Sequence, residues 1–137
     1  MWMRILALDY GRRRIGIALS DALGIMAHGQ ETLHRVNIRT DLAALRALIA
    51  DKEVGLIVVG NPLHMSGQES ELSREARGFA QRLSEESGVP FLMWDERMSS
   101  KEAGRYLAES GRSKGKRGTV DRMAAELILN SYLGMQE

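Results

Sequence analysis

The first hydrophobic run of the chain, Arg4 to Tyr10, is apolar on both alternating parities, with Ile5 and Ala7 on one and Leu6 and Leu8 on the other. A strand without a polar face is covered on both sides, so this run predicts a central strand. Gly11 supplies a turn, three arginines follow, and Ile15 to Leu19 reads as a returning strand. Met26 to Thr32 is a third strand with weaker alternation. Consecutive strands joined by short turns predict an antiparallel meander.

The period then changes. Between Asp41 and Asp51, Leu42, Leu45, Leu48 and Ile49 recur at the spacing of one helix face. Val54 to Gly60 is a compact apolar run and predicts a buried strand, ended by Asn61-Pro62 because proline has no ladder donor. His64 to Gln68 is a loop. Ser70 to Ser87 is the longest helical pattern, with Leu72, Ala76, Phe79, Ala80 and Leu83 on one face and Gly88 and Pro90 as its stop. Val89 to Trp94 predicts another strand, leading into Asp95-Glu96-Arg97. Ser99 or Ser100 can cap a helix over Lys101 to Glu109, and Thr119 a last helix from Val120 to about Leu133. Between them, Gly111 to Gly118 (GRSKGKRG) reads as a loop. A meander feeding into strand–helix alternation predicts an α/β fold, a mixed five-stranded sheet with helices on both faces.

Composition narrows the class. A chain of 137 residues, 44% hydrophobic and 27% charged, fits one globular domain spanning residues 1–137. No cysteine is present, which excludes disulfides, thiol catalysis and thiolate metal sites. No segment approaches the roughly 20 apolar residues that span a bilayer, and no cleavable leader is evident, so the expectation is a cytoplasmic protein with no membrane partner. A net charge of +1 names no partner, but its distribution does. Arg12, Arg13 and Arg14 form one basic cluster and Arg112, Lys114, Lys116 and Arg117 another, while acidic residues gather at Glu69 to Glu75 and at Glu85 and Glu86. Such asymmetry on a nearly neutral chain suits a face that binds a polyanion.

The acidic residues at element ends carry the candidate chemistry. Asp9 ends the first strand, Asp95 and Glu96 end the last, and Asp121 shares a helical stripe with Ala124, Ala125, Ile128 and Tyr132. Each has an ordinary structural explanation alone, such as a turn, an ion pair with Arg97 or a helix N-terminus. Converging together, three carboxylates would repel one another and call for a divalent cation. Oxygen donors without thiolates favour Mg²⁺ or Mn²⁺, ions that support phosphodiester hydrolysis. Basic loops alongside would hold a nucleic-acid backbone. Asn61, or the backbone amides after it, offers a further phosphate contact at the end of its strand.

Four segments in order, Leu8 to Asp21, Val58 to Gly67, Asp95 to Ala103 and Val120 to Leu129, together resemble the YqgF/RuvX family of nucleases over nearly the full length. The resemblance implies an RNase H-like fold and a metal-dependent endonuclease acting on precursor 16S ribosomal RNA or, alternatively, on branched DNA as a Holliday junction resolvase. It implies Asp9, Glu96 and Asp121 as catalytic, metal-binding residues, with Asp9 holding the ion that activates water. Strand alternation sends Asp95 and Glu96 to opposite faces, so one of them joins Asp9. Glu96 is the preferred member and Asp95 the alternative. Either a monomer or a homodimer is compatible with the chain, and a symmetric cut of a DNA junction would require the dimer.

Two other classes compete. Asp9, Gly11 and the hairpin also resemble the phosphate-binding hairpin of actin-like ATPases, but those enzymes close two lobes on a nucleotide, for which 137 residues are too few. A non-catalytic RNA-binding module would keep the fold and hold an ion structurally. Aromatic residues make up 5% of the chain, which disfavours recognition by base stacking and favours backbone contacts in either case.

Overall fold

A computed structural model describes residues 3–21, 23, 26–61, 68–95 and 117–135, the side chains of 117–121 excepted. Strand β1 (Arg4–Asp9) pairs antiparallel with β2 (Arg14–Ser20), which pairs antiparallel with β3 (Ala27–Gly29) and, at its other end, with the short β4 (Leu33–His34). Helix α1 (Ile38–Asp51) leads to β5 (Val54–Asn61), which lies parallel to β1. Helix α2 (Glu71–Ser87) crosses over to β6 (Phe91–Asp95), parallel to β5, and α3 (Arg117–Met135) ends the described chain. The strand order is β3-β2-β1-β5-β6, so the run that is apolar on both parities is the central strand.

Alternation along β1 divides the interior into two cores. Leu6 and Leu8 join Ile15, Ile17 and Leu19 of β2, Ile57 and Val59 of β5, Leu42, Leu45 and Ile49 of α1, and Phe79 and Leu83 of α2. On the reverse face, Ala7, Ala18 and Val58 meet Ala125, Ile128 and Leu129 of α3. That second interface is made of small sheet residues, so the helix lies close to the backbone and a bulkier side chain at the fully buried Ala7 has no space.

The helix ends follow local chemistry. Asn37 caps α1, its side chain accepting from the Thr40 amide at 2.9 Å, and α1 therefore starts ahead of the expected Asp41. Ser70 caps α2 through the Ser73 amide at 2.9 Å, and Gly88 closes it with a left-handed φ of 77°. Two expectations are corrected. The third strand is divided into β3 and β4 around Gln30, whose amide donates to the Ile17 carbonyl at 2.8 Å, giving six strands rather than five. Helix α3 begins at Arg117, so Thr119 lies inside the helix and does not cap it, and Arg117 and Gly118 belong to the helix, not to the preceding loop. The helix expected over 101–109 and the turns at 62–67 and 111–116 lie outside the described residues. No described helix is long and apolar enough to cross a membrane.

Candidate active site

The carboxyl ends of the parallel strands β1, β5 and β6 lie along one edge of the sheet. Asp9 is the last residue of β1 and shares the parity of Ala7, so it is placed on the α3 face and is partly buried. It pairs with Gly16 on β2. On the other side Leu8 pairs with Val59, which sets Gly60 next to Asp9, and Gly60 pairs with Trp94. Across that face the row therefore reads Gly16, Asp9, Gly60, Trp94. Glycine on both sides leaves the carboxylate with no lateral side chain from either neighbouring strand. Trp94 closes the row, its ring edge-on to Tyr132 at 5.4 Å and its indole N–H donating to Ser131 Oγ at 3.1 Å.

Register places one of the two acidic candidates of the last strand. Asp95 pairs with Asn61 and has the parity of Phe91 and Met93, which pack into the α1/α2 core. It is thus on the face opposite Asp9. Glu96 lies outside the described residues. Asp121 falls within α3, one helical turn before Ala125, and Ala125 packs with Ala7 and Ala18. The side chain of Asp121 is outside the description. Among the described residues no three His, Asp or Glu side chains converge, and of the expected acidic set only Asp9 has a described side chain.

Asn61 takes a position the sequence did not suggest. It has the parity of Ile57 and Val59, is 7% exposed, and accepts a hydrogen bond from the hydroxyl of fully buried Ser73 on α2. Its side chain therefore fastens β5 to α2 and is not offered to the face that carries Asp9. Of the basic candidates, Lys114 and Lys116 lie outside the described residues and Arg117 is the first residue of α3.

The β1–β2 turn carries the remaining arginines. Arg13 is exposed and Arg14 partly buried at the start of β2. The Arg12 guanidinium is clasped by Glu75 of α2, Nε within 3.1 Å of both carboxylate oxygens and Nη2 at 2.7 Å, with Glu71 at 4.0 Å. The hydrogen bond from Arg12 holds the Glu75 carboxyl below its ordinary range, and the same bond pushes the Arg12 guanidinium further up.

Sequence reasoning missed the residue that braces this turn. Arg35 donates through Nε to Asp41 Oδ2 at 2.9 Å and through Nη1 to the Tyr10 hydroxyl at 2.7 Å and the Gly11 carbonyl at 3.2 Å. Its own amide donates to the Arg13 carbonyl at 2.9 Å. The guanidinium also lies over the rings of Tyr10 and Phe79, 4.9 and 5.2 Å from their centroids. Burial works against the charge on Arg35, but hydrogen bonds to Asp41 and Tyr10 outweigh it and its pKa is raised. The residues that immediately follow Asp9 are therefore fixed from α1 and α2. The one signal in the sequence was an arginine and an aspartate flanking the N-cap Asn37.

A mixed sheet in this order, with two helices on one face and one on the other and an aspartate ending its central strand, defines an RNase H-like fold. Known structures agree. RuvC of Thermus thermophilus, solved in complex with a Holliday junction substrate, superposes with a TM-score of 0.66 at 14% identity, covering 98% of this chain and 96% of that one. The yeast mitochondrial Holliday junction resolvase Ydc2 gives 0.54 at 13% identity, covering 98% and 79%. At the level of sequence, the family described as "RuvX: Holliday junction resolvase" matches residues 3–135, and the chain belongs to it. Relatives include the "Putative pre-16S rRNA nuclease" of Koribacter versatilis, 56% identical over 95% of this chain and 86% of that protein. A protein of the same name from Syntrophus aciditrophicus is 44% identical over 96% and 88%.

Proposed function

We propose that this protein is a divalent-metal-dependent endonuclease that processes the 5′ end of precursor 16S ribosomal RNA in the cytoplasm. The observation that carries the reading is Asp9, a carboxylate ending the central strand between Gly16 and Gly60, in a chain of a nuclease family. Glycine on either side keeps the side chains of the neighbouring strands out of the carboxylate's row. Asp9, Glu96 and Asp121 would together supply only oxygen donors, a chemistry that suits Mg²⁺ or Mn²⁺ in a chain without cysteine. A bound ion would supply Lewis-acid charge to the phosphate and lower the pKa of water. Asp9 would help hold that ion, and Arg13, Arg14, Lys114, Lys116 and Arg117 would hold the flanking backbone. The partly buried setting of Asp9 limits competing bulk water.

A branched DNA substrate is the second reading, favoured by the description of the family. One experiment addresses both. Cleavage of a precursor 16S RNA and a four-way DNA junction is measured side by side with Mg²⁺, Mn²⁺ or chelator, for the natural protein and Asp9→Asn. Metal-dependent cutting lost in Asp9→Asn supports the assignment, and the substrate that is cut selects the reading. Unchanged turnover in Asp9→Asn refutes the role of Asp9. Binding without cutting in every condition replaces the enzyme by an RNA-binding module.

A further inference from the structure

An arginine of the turn that follows Asp9 is already engaged on the edge of α2. Arg12 stands at the tip of the β1–β2 turn, three residues beyond Asp9. Its fork is filled by both oxygens of Glu75, with Glu71, one turn earlier on α2, at 4.0 Å. Carboxylate and phosphate present the same pair of oxygens to a guanidinium, so a ligand of one kind can take the place of the other. Both ends of the pair are accessible, with side-chain exposures of 58% for Arg12 and 36% for Glu75, so exchange needs no core movement. The backbone of the turn is held by Arg35 through the Gly11 and Arg13 carbonyls, which leaves the Arg12 side chain as the part that moves.

We infer that Glu75, backed by Glu71, is a built-in phosphate substitute on Arg12 that a nucleic-acid phosphate must displace, making the Arg12–Glu75 pair a latch that sets substrate affinity. The inference rests on the nucleic-acid reading above. An exposed pair of this kind is weak, so the latch reduces affinity by about two- to fivefold and does not abolish binding. When Arg12 turns to a phosphate, Glu71 and Glu75 are left as bare carboxylates at the rim. Their repulsion of the bound backbone adds to the cost of opening the pair.

The test is a double-mutant cycle on binding of a labelled precursor 16S RNA fragment, using the natural protein, Glu75→Gln, Arg12→Ala and the double variant. Glu85→Gln, an exposed carboxylate farther along α2, is the control for general charge. The latch predicts that Glu75→Gln binds about two- to fivefold more tightly, that the gain disappears when Arg12 is alanine, and that Glu85→Gln shows no dependence on Arg12. An equal gain with and without Arg12 reveals plain charge repulsion and overturns the latch, as does no gain at all. If no variant binds nucleic acid, the reading of function fails and the latch with it.

Discussion

Replacing Arg35 with alanine tests whether the turn behind Asp9 is held as the contacts imply. Asp41 is 1% exposed and Arg35 14%, so the pair is buried on one side and nearly so on the other. Alanine takes the guanidinium from buried Asp41, which among the described residues keeps the Val36 amide as a donor at 3.0 Å. It also strips partners from the Tyr10 hydroxyl and the Gly11 carbonyl and removes the cation above two rings. Removing one member of a buried pair costs about 3–5 kcal/mol, most of it the burial of the orphaned charge. For a chain of 137 residues that loss corresponds to a melting point lower by roughly 10–20 °C. Urea unfolding followed by circular dichroism should show a lower midpoint with an unchanged slope. Replacing both partners by apolar residues of similar size, Arg35→Met with Asp41→Leu, should recover much of the loss because no charge is then stranded. A loss below about 1 kcal/mol in Arg35→Ala would place the pair among ordinary surface bridges and refute the bracing role.

Two further outcomes are expected. In Gly11→Ala the added carbon would stand 2.5 Å from the Arg14 carbonyl oxygen, a backbone atom that no rotamer change can move. We expect a loss of about 1–3 kcal/mol in urea unfolding together with reduced cleavage, and unchanged stability would show slack in the turn. Burial raises the Glu126 carboxyl above its ordinary 4.5, against the opposing pull of Arg122 and His28. The folded state therefore holds the proton longer than the unfolded chain, and stability falls as pH rises from 4.5 through the folded value. Glu126→Gln should flatten that fall and melt slightly higher at neutral pH. An unaltered pH profile would contradict it.

The sheet was legible because its signals are local. Apolar residues on both parities put β1 at the centre, and the alternation of Ile5, Ala7 and Asp9 placed the carboxylate on the face now covered by α3. The choice between Asp95 and Glu96 was not legible, because it depends on which parity of β6 faces which helix. The pairing of Phe91 with Ile57 and of Asp95 with Asn61 fixes the face of Asp95 alone, since Glu96 lies outside the described residues. Asn61 was read by its neighbour Pro62 as a turn residue, although the spacing from Ile57 and Val59 already pointed it into the core. Arg12 and Arg35 were beyond reach for a different reason. Their partners, Glu75 and Asp41 with Tyr10, are brought together only by the packing of α1 and α2, and Glu75 is 63 positions from Arg12. Thr119 failed as a cap because a threonine ahead of an apolar stripe is equally acceptable within the first turn of a helix.

The glycine-flanked position of Asp9 also limits how the chain can vary. From Leu6 onward strand β1 is paired on both sides, whereas between Arg4 and Ile5 the register with β5 already shifts, so beyond that irregularity single residues cannot slip to absorb an insertion. One residue added or removed between Ile5 and Leu8 would reverse every side chain beyond it, sending Leu8 toward α3 and the carboxylate toward Phe79. The four steps from Ile5 to Asp9 thus act as a fixed ruler.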